Sequence, residues 1–217
     1  MGLLSPPPVG PKRVLNMFLS FRSPYTYIAM ARAGRLAAHY GAELRLRFVL
    51  PMVMRGLPVP SAKRLYIVRD TKREAERLGL RFGNMVDPVG PGVERGLAVL
   101  HQAIALGRGA EFAESFLQGV FADGLDAASD PGLFRIAARA GLDEDIVAVA
   151  VRDDTWRAVA EANRAELLAA GLWGVPCFRV DDGPVFWGQD RLWAVERHFW
   201  PEVALDSQDK QMASQVP

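Results

Sequence analysis

Three short stretches carry side chains whose types and spacing could do chemistry. The first is Ser23-Pro24-Tyr25-Thr26. A serine before a helix accepts hydrogen bonds from its first N–H groups, and proline suits the first helical position because it has no N–H to leave unpaired. The free N–H groups and dipole of such a helix mouth favour an anion. Most Ser-Pro pairs only start helices, so this stretch alone carries little. The second is Gly174-Val175-Pro176-Cys177-Phe178, with Pro176 directly before a strand. In the trans form it is an ordinary edge-strand proline, the favoured reading on local sequence. In the cis form it would turn the Val175 carbonyl and N–H outward, free to pair with a peptide-like ligand as a short added strand. The third is Gly188-Gln189-Asp190, polar residues leading into the last helix.

Other candidates have blander readings. Cys177 is the single cysteine, so an internal disulfide and a cysteine-based metal cluster are excluded. A small buried residue on a core strand suits it better than a redox thiol. His39, His101 and His198 are dispersed, without paired metal-ligand spacing, and read as surface or packing residues. No metal is expected. The five tryptophans read mostly as packing, with Trp173 and Trp187 flanking the second and third stretches.

The elements that must position these residues follow from hydrophobic period. Lys12 to Leu19 (KRVLNMFL) is apolar without helical spacing and reads as a buried strand. Pro24 to Tyr40 repeats Tyr25, Ala29, Ala33, Leu36 and Tyr40 every three or four residues, a helical stripe that stops near Gly41. Glu43 to Leu50 alternates and predicts a second strand, parallel to the first in a right-handed βαβ unit. From Ser61 to Gly171 no good strand occurs. The region reads as helices over 61–78, 93–106, 110–122, 131–140, 144–151 and 154–170, with a turn-rich loop over 81–92 and Asp130-Pro131 as a cap pair. The charge run Arg69 to Arg77 is a solvated helix face with Glu–Arg pairs. Strands return at 174–180 and 184–187 around the tight turn Asp181-Asp182-Gly183, a β-hairpin, before a last helix over 190–199. The chain thus divides into a discontinuous strand-bearing domain (12–60 and 172–200), an inserted helical domain (61–171), and extended or loose termini (1–11 and 201–217).

Composition narrows the function classes. Half of the 217 residues are hydrophobic, enough for a substantial core. Lys and Arg total 26 against 25 Asp and Glu, so there is no electrostatic footprint for nucleic acid or an anionic membrane. No 18-residue apolar run and no secretory pattern is found, and the cysteine usage fits a reducing cytoplasm.

The order βαβ, helical block, ββα is that of a thioredoxin-like α/β fold with a large all-α insertion. Within it SPYTYIA (Ser23 to Ala29), GVPCF (Gly174 to Phe178) and FWGQDRL (Phe186 to Leu192) occur in order. Together they resemble the 2-hydroxychromene-2-carboxylate isomerase and kappa-class glutathione transferase family, a branch of the DsbA-like thioredoxin fold. The resemblance covers about Arg13 to Phe199. It implies glutathione as cofactor, with the Ser23 hydroxyl on its sulfur, Val175 before a cis Pro176 pairing with its cysteinyl part, and Gln189 and Asp190 holding its γ-glutamyl end. Lys63 matches a family lysine near the ligand. Ser20 stands where the family commonly has an aspartate, and Arg55 to Val59 offers no clear counterpart to a family asparagine.

Disulfide oxidoreductases carry Cys-x-x-Cys where this chain has Ser23 to Thr26, so an intramolecular dithiol cycle is excluded. The resemblance implies a homodimer that isomerises a small aromatic electrophile by reversible addition of the glutathione thiolate, rotation and elimination. Arg22, Arg55, Lys63 and Arg64 are unranked candidates for a substrate carboxylate, and Tyr25 is a further substrate-side candidate. A glutathione transferase or peroxidase, and a non-catalytic thioredoxin-fold binding protein, are the alternatives.

Overall fold

The computed structural model describes residues 12–200. The expectations for the lead-in 1–11 and the tail 201–217 lie outside the described residues. Four strands form one mixed sheet in the order β2-β1-β3-β4. β1 (Val14–Leu19) runs parallel to β2 (Glu43–Phe48), while β3 (Cys177–Val180) is antiparallel both to β1 and to β4 (Phe186–Trp187). α1 (Pro24–His39) connects β1 to β2. Between β2 and β3 come α2 (Ser61–Arg77), α3 (Pro91–Ala105), α4 (Gly109–Ala122), α5 (Asp130–Arg139), α6 (Glu144–Ala150) and α7 (Trp156–Ala169). α8 (Leu192–Arg197) follows β4. This is the thioredoxin-like α/β architecture with a mostly helical inventory.

The sheet separates two apolar layers because side chains alternate along β1. Leu15, Met17 and Leu19 join α1 and the helices α3 to α6 in one continuous core. Phe18 points the other way, to a small cluster with Leu167 of α7 and Cys177, against which Val175 packs. The core of the helical block is aromatic at its contact with the strand end: Phe21 stacks on Phe116 with ring centroids 3.9 Å apart. Gly96 permits the α3–α4 approach, since a Cβ there would lie 2.3 Å from the Phe116 ring.

Several boundaries differ from the sequence expectations. β4 is only two residues, and the third strand begins at Cys177, because the 174–176 strap leaves the sheet. Ser129 caps α5, its hydroxyl accepting from the Gly132 N–H at 3.1 Å, so Asp130 is the first helical residue instead of the cap. The last helix is interrupted: residues 189–191 form a single 3₁₀ turn and α8 is six residues long. No helix among the described residues is long and apolar enough to cross a membrane.

Candidate active site

A cleft of about 910 Å3 opens at the C-terminal end of β1, between the strand-bearing layer and α2. All ten residues singled out from the sequence line it: Arg22, Ser23, Tyr25, Arg55, Lys63, Arg64, Val175, Pro176, Gln189 and Asp190. The convergence follows from topology, since ligands of open α/β sheets meet the carboxyl ends of the strands and the helix mouths beside them.

Ser23 caps α1 as expected, in extended backbone, with Oγ accepting from the Thr26 N–H at 3.2 Å. Its hydroxyl donates to the Val175 carbonyl at 3.3 Å, so that carbonyl is not free as the sequence suggested. The Val175–Pro176 peptide bond is cis. The Pro176 carbonyl accepts from the Gly188 N–H at 3.0 Å, tying the strap to the third stretch. Two glycines shape this corner. Gly188 has φ +121, and a Cβ on Gly174 would lie 2.4 Å from the Trp187 indole. Trp187 meets Trp173 edge-on at 5.1 Å, and both are nearly half exposed (42% and 46%), so this pair forms a rim flanking the second and third stretches.

Gln189, expected to hold the γ-glutamyl end with Asp190, lines the cleft with its side-chain amide engaged by the protein. Its Oε1 and backbone carbonyl accept from Arg32 of α1 at 2.7 and 3.0 Å, and its Nε2 donates to Glu74 of α2 at 3.2 Å. The side chain is buried and fixes the turn to both helices. Glu74 therefore belongs to this corner as well as to the charged face, where it also pairs with Arg77 at 2.8 Å. Asp190 follows at the turn, paired with Arg191 at 2.5 Å.

The cations sort by partner. Arg22 forms a two-pronged bond with Asp87, Nε to Oδ1 at 2.7 Å and Nη2 to Oδ2 at 2.6 Å. Burial pushes the Asp87 carboxyl up, but the Arg22 hydrogen bond and charge with the Val89 N–H bring it below its usual range. Arg64 donates to the Ser61 hydroxyl at 3.2 Å on the exposed first turn of α2, and Lys63 is exposed beside it. Arg55 donates from Nη2 to the Trp173 carbonyl at 3.0 Å. Tyr25 donates to Asp70 at 2.8 Å; burial first, then Asp70, pushes its phenol well above the ordinary value. Cys177 is fully buried, donates to the Gly174 carbonyl at 3.0 Å, and burial pushes its thiol up to about 12.

Asp70, Asp87 and Arg32 are the residues that sequence reasoning did not place here. Their partners lie 45, 65 and 157 positions away, and no local pattern signals such pairs. Among the described residues no group of three or more His, Cys, Asp or Glu side chains could hold a metal ion. The arrangement can bind a small peptide-like thiol along the 174–176 strap and hold its sulfur at a helix mouth, against an apolar wall of Met52, Val59, Leu65 and Met85.

Comparison with known proteins bears on the family and the fold. The family described as DSBA-like thioredoxin domain matches residues 14–199. No curated protein matches the chain in sequence. A probable DsbA oxidoreductase from Streptomyces coelicolor is 21% identical, with a TM-score of 0.69 over 88% of this chain and 91% of that one. A 2-hydroxychromene-2-carboxylate isomerase structure is 19% identical, with a TM-score of 0.69 over 94% of this chain and all of the other. The cytosolic disulfide reductase DsbM from Pseudomonas aeruginosa, solved with GSH, is 19% identical, with a TM-score of 0.64 over 86% and 95%. At these identities the likeness is one of fold.

Proposed function

The chain belongs to the DsbA-like thioredoxin family, and from that premise we propose that it is a glutathione-dependent isomerase of the 2-hydroxychromene-2-carboxylate type. The observation that carries this is Ser23: a hydroxyl, not a thiol, caps α1 and faces the Val175 carbonyl across the cleft at 3.3 Å. Thr26 stands at the second position of the motif, so the disulfide chemistry of cysteine-bearing relatives needs an external sulfur here. The residues present fit glutathione. The Val175 N–H donates to no other group among the described residues, which leaves it open to an incoming peptide strand.

When bound, glutathione supplies a thiolate able to add reversibly to an electrophilic double bond. The chain's own contribution begins with Ser23. Its bond to Val175 is long, so the hydroxyl turns to a nearby anion at little cost. The α1 dipole favours the same negative charge. Tyr25 keeps its proton because burial and then the hydrogen bond to Asp70 favour the neutral phenol, and the residue lines the cleft. Arg22 and Asp87 brace the entrance of α1 against the loop before α3, fixing the cleft width. The apolar wall opposite excludes water from a flat aromatic ligand.

Turnover of unsaturated aromatic carboxylates and of simple electrophiles, with and without glutathione, tests the reading. Isomerisation that requires glutathione without consuming it is the expected result. Stoichiometric consumption assigns a kappa-like transferase instead, and turnover indifferent to glutathione overturns the proposal.

A further inference from the structure

Four consecutive carbonyls, those of Trp173 to Pro176, each accept a hydrogen bond from the protein. Trp173 accepts from Arg55 Nη2 at 3.0 Å, Gly174 from the Cys177 thiol at 3.0 Å, and Val175 from the Ser23 hydroxyl at 3.3 Å. Pro176 accepts from the Gly188 N–H at 3.0 Å. A peptide strand added to this edge pairs through a carbonyl as well as through the Val175 N–H. Gly188 gives a backbone donor and Cys177 is fully buried, so neither turns away, and Arg55 serves a carbonyl two residues upstream. Ser23 is different. Its bond is the longest of the four, and a hydroxyl re-aims its proton by rotating about one single bond.

The direction of that proton follows from the partners. The Thr26 N–H only donates and the Val175 carbonyl only accepts, so the single hydroxyl proton points at Val175. The helix cap uses a lone pair of Oγ and stays in place whichever way the proton turns. One proton cannot serve Val175 and a thiolate together. A thiolate is a charged acceptor and draws the proton from a neutral carbonyl held at long distance. A sulfur bonded to two carbons is neutral and a weak acceptor, and leaves the proton where it is. We propose that Ser23 is a two-position latch on the Val175 carbonyl, closed in the empty site and over S-substituted glutathione, and opened by the glutathione thiolate. Opening frees the carbonyl for the N–H of the ligand's cysteinyl residue while the sulfur gains the hydroxyl. Backbone pairing is thereby tied to the charge on sulfur. This rests on the glutathione reading above and adds to it the acceptor that Ser23 gives up.

The test is calorimetry on the full chain at mildly alkaline pH with two tripeptides. One is glutathione. The other is γ-glutamyl-2-aminobutyryl-glycine, which keeps every backbone group and carries a methyl group in place of the thiol. The variants are Ser23→Ala and Ser23→Gly; glycine removes the hydroxyl with little loss of capping and carries the measurement if the alanine variant melts too early. Both variants should bind glutathione about tenfold or more weakly than the parent. Both should bind the sulfur-free tripeptide about two- to threefold more tightly, because the Val175 carbonyl is open from the start. The opposite signs are the signature of the latch. A hydroxyl that only caps the helix moves neither affinity, and one that only meets the sulfur leaves the second ligand unchanged. Unchanged or weaker binding of the sulfur-free tripeptide in the variants overturns the latch: the carbonyl then takes both donors on its two lone pairs, and the glutathione site stands without it. If glutathione does not bind the parent, the glutathione reading fails and the latch falls with it.

Discussion

Replacing Ser23 by alanine separates its two roles. In the empty protein the hydroxyl accepts from the Thr26 N–H at 3.2 Å and donates to the Val175 carbonyl at 3.3 Å. Loss of an N-cap costs about 1 kcal/mol. The second bond is long, so it adds at most about 0.5 kcal/mol, the low end for a neutral pair. With roughly 2–4 °C per kcal/mol for a chain of this size, Ser23→Ala should melt about 2–6 °C lower. In the liganded protein the same hydroxyl donates to a thiolate. A hydrogen bond to a charged group in a partly dry site contributes roughly 1.5–3 kcal/mol, or about one to two decades in kcat/KM. The bond also favours the charged form, so its removal should raise the pH at which glutathione-dependent turnover sets in. Ser23→Cys restores a sulfur at the position used by disulfide oxidoreductases and should not restore isomerisation. The assay is a pH profile of turnover for both variants beside the parent, with thermal melts on the same samples. If Ser23→Ala turns over normally at every pH and only melts earlier, the serine is a cap and nothing more.

Three further outcomes follow from the same geometry. Gly174→Ala places a Cβ within 2.4 Å of the Trp187 ring, so it should displace the Trp173–Trp187 rim, change the tryptophan emission and destabilise the fold by about 1–3 kcal/mol. The Asp87 carboxyl is held below its ordinary value in the folded state, so the Arg22–Asp87 pair stabilises above the unfolded pKa and is lost as pH falls through the folded one. Melts of Arg22→Met should therefore lie below the parent at neutral pH and converge with it on acidification below about pH 4; a gap that persists in acid contradicts this. Cys177, with its thiol pushed up to about 12 under full burial, should resist iodoacetamide at pH 8 in the native protein and react on unfolding.

Local chemistry made much of the fold readable. The alternation of Leu46 and Phe48, the Ser23-Pro24 cap, and Gly41 at φ +61 after α1 each follow from rules acting over a few residues. Those rules located the cleft, because helix mouths and strand ends can be read from sequence. They did not assign partners within it. Nothing in the sequence signals that the Gln189 amide is held by Arg32, 157 positions away. Arg22 reads as a free cation until Asp87 closes on it. Glu74 reads as one member of a solvated charge run, yet one oxygen reaches the corner beside Asp190. The short β4 and the interrupted last helix also depended on tertiary context: the Gly188 N–H bonds the Pro176 carbonyl there, and the turn follows that bond instead of continuing a helix.

The central claim is a glutathione site built from the mouth of α1 and the 174–176 strap. Isothermal titration of the full chain with reduced glutathione tests it most directly. The account predicts saturable binding at millimolar or lower concentration, weakened in Ser23→Ala more as pH rises and the thiolate forms. Flat heats through millimolar-scale glutathione, with no rise in Tm at the same concentrations, would contradict it.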